Sequence, residues 1–277
     1  MTTNHEAGEE IILFGAGRMG SALLRSWIKG GFSPDRINVR DPRPTAELIA
    51  FAEQNGVRLN ASPGSSERHA IVVAVKPQMI ASVEQDIKAI QSKDKLIISV
   101  LAGSTLADLA TLFPEADGLV RTMPNLPIEV GRGLTTAVAH IGTSAPHRRM
   151  VTELFSAGGT LLWLEDEALI NAATAIAGSG PAYIFYIAEC MTRAGAALGL
   201  APDLAARLAR ATISGAGEML HQSSDSPEDL RHAVTSPGGT TQQGLSALMH
   251  GKKLEAAFSV AARRACRRAA ELSKSMN

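Results

Sequence analysis

The strongest constraint on the fold is a repeat of short apolar runs that do not alternate with polar residues. "IILF" at Ile11, "INV" at Ile37, "IVVAV" at Ile71, "LIISV" at Leu96 and "GLVRT" at Gly118 are each followed by a helical stretch. A half-buried strand alternates apolar with polar residues, so unalternating runs belong to strands covered on both faces, in a parallel sheet flanked by helices. Strand-helix repetition of this kind gives a doubly wound α/β domain. Two more strands, near Leu134–Ala139 and Thr160–Leu164, finish the sheet around a helix starting near Ala145.

Beyond Glu165 the pattern changes to alanine-rich helical periodicity with almost no strand signal. Helices are expected near 166–177, 181–199, 203–222, 227–234, 241–250 and 252–274, with Leu198-Gly199 and Leu220 as stops and Pro202, Pro227 and Pro237 at starts or in turns. Many small residues let helices approach closely, which suits an intertwined helical dimer; a simple appended bundle is the alternative. The expected organisation is therefore an α/β domain over residues 1–165 and an all-α domain over residues 166–277.

A chain of 277 residues with zero formal net charge and 4% aromatic residues has neither the basic surface nor the stacking platforms of a nucleic-acid binder. "RRACRR" at Arg263–Arg268 reads as the solvated flank of a helix near its C-terminus. The apolar runs are too short to span a bilayer, and "MTTNHEAGEE" lacks the regions of a signal peptide. Two distant cysteines, Cys190 and Cys266, and seven histidines without HExxH spacing predict no disulfide framework and no metal site. A reducing cytoplasm is the expected setting.

"IILFGAGRMG" sets Gly15, Gly17 and Gly20 in G-x-G-x-x-G spacing, after a strand and opening a helix. Gly15 permits the tight turn, Gly17 lets a pyrophosphate approach the backbone, and Gly20 packs the helix on the sheet, while the helix N-terminus favours phosphate charge. The segment Gly15, Ala16, Gly17, Arg18, Met19 and Gly20 is thus expected to bind a dinucleotide in a Rossmann-like domain; a glycine turn without ligand is the alternative. In "VRDPRP", Asp41 suits a ribose 2′-hydroxyl and NAD(H), whereas Arg40 and Arg43 suit a 2′-phosphate. Two arginines beside one carboxylate favour NADP(H), with NAD(H) as the alternative, and all three can equally be solvated charges around a proline turn.

The later loops carry the remaining candidates. "AVKPQ" leaves the strand at Ile71 where ligands bind in open α/β sheets, with Lys76 either a distant positive charge or a cap on nearby carbonyls. The Ala102-Gly103 step keeps bulk away from whatever lies above the sheet. In "RTMPNLP", Asn125 presents an amide to a nicotinamide carboxamide or a substrate, or belongs to a stiff turn. "AGSGPAY" breaks and restarts a helix at Pro181 and is not a nucleophile elbow, so Tyr183 belongs to the core. In "VTSPGGTTQQGLSALM", Gly238 and Gly239 can turn successive N–H groups toward one point at the head of a helix, an anion nest for a small carboxylate. Thr240 or Thr241 can cap that helix, leaving the other hydroxyl for a polar group beside the carboxylate.

Taken in order, "FGAGRMG", "AVKP", "RTMPNLP", "GSGPAY" and "LRHAVTSPGGTTQQGLSALM" resemble the pyrroline-5-carboxylate reductase family over nearly the whole chain. The resemblance implies a Rossmann domain followed by a helical dimerisation domain, a homodimer often assembled into larger rings, and hydride transfer from NAD(P)H to a cyclic imine. It implies that the substrate carboxylate binds the amides of Gly238 and Gly239 beside Ser236, Thr240 and Thr241, with Thr241 near the ring nitrogen. It also carries over Ala74, Val75, Lys76 and Pro77 as cofactor-binding. Leu126 stands where the family usually has Thr, and Arg40-Asp41 where it often has Ser or Thr. A β-hydroxyacid dehydrogenase is the rival reading, but its catalytic lysine has no counterpart in "EALINAATAIAG". A scaffold that has lost catalysis is a second rival, which the intact "SPGGTT" argues against.

Overall fold

The computed structural model describes residues 9–64 and 67–274; the polar stretch 1–8, read above as no signal peptide, lies outside them. The first part runs β1 (Glu9–Phe14), α1 (Arg18–Lys29), β2 (Ile37–Arg40), α2 (Ala46–Asn55), β3 (Arg58–Leu59), β4 (Arg68–Val73), α3 (Ile80–Ala89), β5 (Asp94–Ser99), α4 (Leu106–Leu112), β6 (Gly118–Pro124), β7 (Gly133–Ala139), α5 (Ala145–Ser156) and β8 (Gly159–Trp163). Among the described residues these strands form one sheet in the order β3-β2-β1-β4-β5-β6-β7-β8.

The sheet is covered on both faces, as its apolar runs require. Along β1, Ile11 and Leu13 enter one core with Leu23, Trp27, Leu154 and Phe155. Ile12 and Phe14 enter the other with Ile87, Leu109 and Phe113. Trp27 is fully buried and donates its indole N–H to the Leu154 carbonyl at 2.9 Å, so its one polar atom is satisfied.

Two features depart from the expected sheet. All neighbouring strands are parallel except β6 and β7. Only residues 125–132, built around the 3-10 turn Leu126–Val130, separate those two, and a parallel return needs a crossover of a dozen or more residues. The second departure is β3, a two-residue edge strand for which the sequence carries no pattern.

The helical part begins with a 3-10 turn and α6 (Ile170–Ala173), continues as a π turn over Thr174–Gly178, then α7 (Gly180–Ala197), α8 (Pro202–Gln222), α9 (Pro227–Ala233), α10 (Thr240–Met249) and α11 (Lys253–Lys274). The chain divides into two compact units, residues up to Gly178 with the chain from Ala265 onward, and Ser179–Arg264. By length and composition alone Glu167–Ala197 meets the threshold for a membrane-crossing helix, a threshold that helices of soluble proteins also meet. A helical stretch accumulates length across the Gly178-Ser179-Gly180 break that the runs did not count. Within the second unit, α7 and α8 form a hairpin turned at Gly199, whose φ is +94°.

At the amino edge of the sheet lies a charged cluster the sequence did not announce. Glu10 is 3% exposed. It accepts from the Gly64 N–H at 2.7 Å, pairs with Arg58 and lies 3.2 Å from His69 Nε2. Burial alone raises a carboxyl pKa; here the hydrogen bonds from His69 and Gly64 and the charge of Arg58 override it, and the Glu10 pKa lies below the ordinary 4.5. A folded pKa below the unfolded one stabilises the fold above the unfolded value, and that stability is lost as pH falls through the folded value. Glu10→Gln is expected to cost about 3 kcal/mol near neutral pH by leaving buried partners uncompensated. Urea unfolding of both proteins should show this gap narrowing below about pH 4.5, the sign set by the lowered pKa.

Candidate functional site

The loop after β1 is shaped by backbone contact. Gly15 has φ +89°, and a Cβ there would lie 2.9 Å from the Ala74 carbonyl oxygen. A Cβ on Gly20 would lie 2.0 Å from the carbonyl oxygen of Gly15, so α1 packs directly on the loop. At Gly17 a Cβ would meet nothing within 4 Å. Gly17 thus faces open space at the head of α1, where the helix has no side-chain cap and its first N–H groups are unpaired by the helix itself.

A cavity of about 480 Å³ lies over this loop, lined by Gly15, Gly17, Arg40, Asp41, Arg43, Ala74, Val75 and Lys76 among others. The structure thus brings together the glycine loop, the end of β2 and the segment after β4, three stretches far apart in sequence. Asp41 is more engaged than a free ribose acceptor. Its Oδ2 accepts from the Ala16 N–H at 3.0 Å and its Oδ1 from the Arg43 N–H at 2.9 Å. The Ala16 N–H is thereby committed to Asp41, which leaves the amides at the uncapped head of α1 as donors. Arg40 is half-buried and donates from Nη1 to the Ala61 carbonyl at 2.8 Å. Arg43 and Lys76 are exposed on the cavity wall, and Pro77 opens the 3-10 turn that leads into α3.

Other candidates are placed elsewhere. A Cβ on Gly103, whose φ is +93°, would come 2.8 Å from the Leu272 carbonyl of α11, so the Ala102-Gly103 step makes room for the C-terminal helix rather than lining the cavity. The Asn125 amide is committed to backbone: its Oδ1 accepts from the Leu134 N–H at 2.8 Å and its Nδ2 donates to the Ala177 carbonyl at 2.9 Å. This is the stiff-turn alternative, in which one amide ties β7 to the π turn. Tyr183 packs edge-on against Phe258 at 6.2 Å between ring centroids. The sequence reading missed Asn60, Ser82 and Asp86, which also line the cavity. A signal for Asn60 was there in principle, as an Asn ending a short run after the second helix.

In the helical unit, Gly239 is the N-cap of α10 and no side chain caps it, so neither Thr240 nor Thr241 takes the capping role. Both threonines and Ser236 are exposed. Gly238 has φ +73° and donates its N–H to Gln242 Oε1 at 2.6 Å, while the Gly239 N–H turns back to the Ser236 carbonyl at 3.0 Å. The Gly238 N–H is thus the donor turned toward an acceptor at the helix head, and that acceptor is an amide oxygen. Among the described residues no group of His, Cys, Asp and Glu has the arrangement of a metal site.

Comparison with known proteins decides the family. Residues 167–272 match the family described as pyrroline-5-carboxylate reductase dimerisation, and residues 10–103 match the family described as NADP oxidoreductase, coenzyme F420-dependent. The pyrroline-5-carboxylate reductase of Pseudomonas aeruginosa is 34% identical over 96% of this chain and 97% of its own. The chain belongs to the pyrroline-5-carboxylate reductase family. A family member from Methanosarcina acetivorans is also 34% identical, over 96% of this chain and 98% of its own. The solved reductase from Coxiella burnetii superposes with a TM-score of 0.86 at 34% identity, covering 95% of this chain and 98% of that one. The Plasmodium falciparum enzyme, solved with NADP bound, superposes at 0.76 with 26% identity, covering 95% and 98%.

Two glycines in the first loop separate folding from binding. Gly20→Ala drives a methyl into the Gly15 carbonyl and is expected to cost about 1–3 kcal/mol in thermal unfolding. Gly17→Ala has room for its methyl, so its Tm should match the parent; if the open space at Gly17 receives a cofactor phosphate, the methyl fills it and the KM for the nicotinamide rises.

Proposed function

We propose that this protein reduces the C=N bond of 1-pyrroline-5-carboxylate to L-proline, the last step of proline biosynthesis, with NADP(H) as preferred nicotinamide and NAD(H) as the alternative. The observation that carries this reading is the Gly238 N–H, held by a left-handed backbone at the uncapped head of α10 and already matched to an oxygen acceptor, in a chain of this family. A carboxylate is a stronger acceptor than the Gln242 amide and takes its place there, with the positive end of the helix adding to the attraction.

The first unit fits a dinucleotide. Gly17 leaves an open cradle, the head of α1 offers donors, and Lys76 and Arg43 supply positive charge on the cavity wall. Gly15, Gly17, Arg18, Met19, Ala74, Val75, Lys76 and Pro77 hold it in this reading, with Arg40 and Arg43 toward a 2′-phosphate. When bound, the reduced nicotinamide supplies the hydride that reduces the imine carbon. The protein's residues bind and orient: the Gly238 N–H with Ser236 and Thr240 holds the carboxylate, while the Gly239 N–H stays with the Ser236 carbonyl and shapes the turn, and Thr241 places its hydroxyl by the ring nitrogen. An imine protonates readily in water, so the chain needs no strong acid at that atom; orientation of this kind can contribute about 7–11 kcal/mol to lowering a barrier.

Residues 166–277 serve substrate binding and association in this proposal, as a homodimer that can build a larger ring, in the cytoplasm. A monomeric copy would leave Phe185, Tyr186, Leu208, Met219, Leu248 and Phe258 exposed. These are the large apolar side chains a helical interface covers.

The deciding assay follows absorbance of the reduced nicotinamide as protein, NADPH or NADH, and the five-membered imine are mixed; no consumption with either cofactor refutes the activity. Thr241→Val is expected to lower kcat/KM for the imine by about five- to 150-fold, the range of one hydrogen bond of about 1–3 kcal/mol. An unchanged value removes Thr241 from its assigned role. Arg40→Ala should raise KM for NADPH about tenfold, as loss of a charge-assisted contact does, with a much smaller effect on NADH. Equal effects would dismiss the 2′-phosphate contact.

A further inference from the structure

We propose that Asn60 is a positioning residue for the ribose end of the dinucleotide cavity, acting through Asp41. The inference rests on reading that cavity as a nicotinamide dinucleotide site.

The argument begins with an edge strand that stops early. β3 pairs with β2 only through Arg58 opposite Asn38 and Leu59 opposite Val39. Asn60 follows in the left-handed region, φ +52°, which Asn tolerates better than most residues. Its own N–H still bonds the Val39 carbonyl at 2.8 Å, but its backbone goes no further along β2. Its side chain does. Nδ2 donates to the Asp41 carbonyl at 2.7 Å, and Oδ1 accepts from the Asp41 N–H at 2.9 Å.

An extended residue points its N–H and C=O to the same side, and a carboxamide carries an acceptor and a donor side by side. One Asn side chain therefore satisfies both backbone groups of Asp41, in the seat the next residue of a longer β3 would have filled. On the other side of β2, the Gly15 N–H bonds the Arg40 carbonyl at 2.9 Å. Asp41 is thus kept in line with β2 one residue past its end. Held there, its carboxylate reaches the Ala16 N–H of the glycine loop and the Arg43 N–H.

The next residue completes the device. The Ala61 carbonyl accepts from Arg40 Nη1 at 2.8 Å and from Asn38 Nδ2 at 3.0 Å. A two-residue step, 60–61, consequently sets the position of both the cation and the anion that face the ribose end. Asn60, Arg40, Asp41 and Arg43 share one cavity wall. β3 is also held by Arg58 on the buried Glu10, so the strand has an anchor that does not depend on Asn60.

The test uses the full-length protein with three substitutions. Asn60→Gly keeps the left-handed backbone and removes only the amide. Asn60→Asp keeps an acceptor for the Asp41 N–H but lacks the donor to its carbonyl and sets a second carboxylate beside it. Thr45→Ala removes the hydroxyl that caps α2, 3.2 Å from the Leu48 N–H, and serves as the purely structural control. Binding of NADPH and of adenosine 2′,5′-bisphosphate, which has the ribose and adenine ends but no nicotinamide, is read by titration, and kcat and the imine KM by steady-state rates.

Loss of two hydrogen bonds on Asp41 should weaken both ligands about tenfold in Asn60→Gly and at least as much in Asn60→Asp. The kcat at saturating NADPH and the imine KM should stay at the parent values, and Thr45→Ala should lower Tm without moving either affinity. Parent-like affinity in Asn60→Gly, or a matching rise in imine KM, overturns the positioning role alone. A parent protein that binds neither ligand overturns the dinucleotide reading and this inference with it.

Discussion

The ligand end of the first unit depends on one close approach: the backbone of α1 lying on the carbonyl of Gly15. A Cβ at Gly20 would stand 2.0 Å from that oxygen, and one at Gly15 would press on Ala74 and Val75. No side chain fits between the loop after β1, the first turn of α1 and the end of β4. The contact fixes the head of the helix over the carboxyl edge of the sheet, and with it the direction of its free amides. It also brings the Ala16 N–H within 3.0 Å of Asp41, so the geometry at the end of β2 is tied to the same contact.

Much of this was legible because it is written in periodicity and in residues with special backbone freedom. The strands at Ile11, Ile37, Ile71, Leu96 and Gly118 were visible as unalternating apolar runs, and the helices after residue 165 fall within a few residues of their expected ends. The features that stayed hidden are those decided by tertiary partners. β3 is too short to carry a pattern, and Glu10 looks like part of a solvated acidic start until Arg58, His69 and Gly64 close on it. Asn125 has the right chemistry to meet a ligand, but two backbone groups that cannot be read from its neighbours in sequence claim its amide. The antiparallel return of β7 was implicit in the shortness of the 125–132 connection, which runs of strand-like residues do not weigh.

The helical unit has a different balance. Its large side chains are mostly exposed, and the only fully buried positions of α8 are Ala205 and Ala209. A Cβ on Gly195 would sit 3.2 Å from that of Ala205, so small residues bring α7 and α8 together without interdigitated bulk. Such a hairpin buries little apolar area on its own. At about 25 cal/mol per Å² the missing stabilisation has to come from covering the outer faces, which is what a dimerisation family supplies.

The charges at the ribose end then bear on cofactor preference. A carboxylate facing a 2′-phosphate repels it, which by itself would argue for NAD(H). In this protein both Asp41 oxygens receive backbone N–H groups, from Ala16 and Arg43, and hydrogen bonding to the charged form spreads and offsets its negative charge. The backbone of Asp41 is meanwhile clamped by Asn60, so the carboxylate is turned to the glycine loop. The Arg40 guanidinium is bonded to a neutral carbonyl, and Arg43 stands exposed on the same wall. Two cations beside one carboxylate whose oxygens are both taken by backbone N–H groups is the feature of that wall on which the proposed preference for NADP(H) rests.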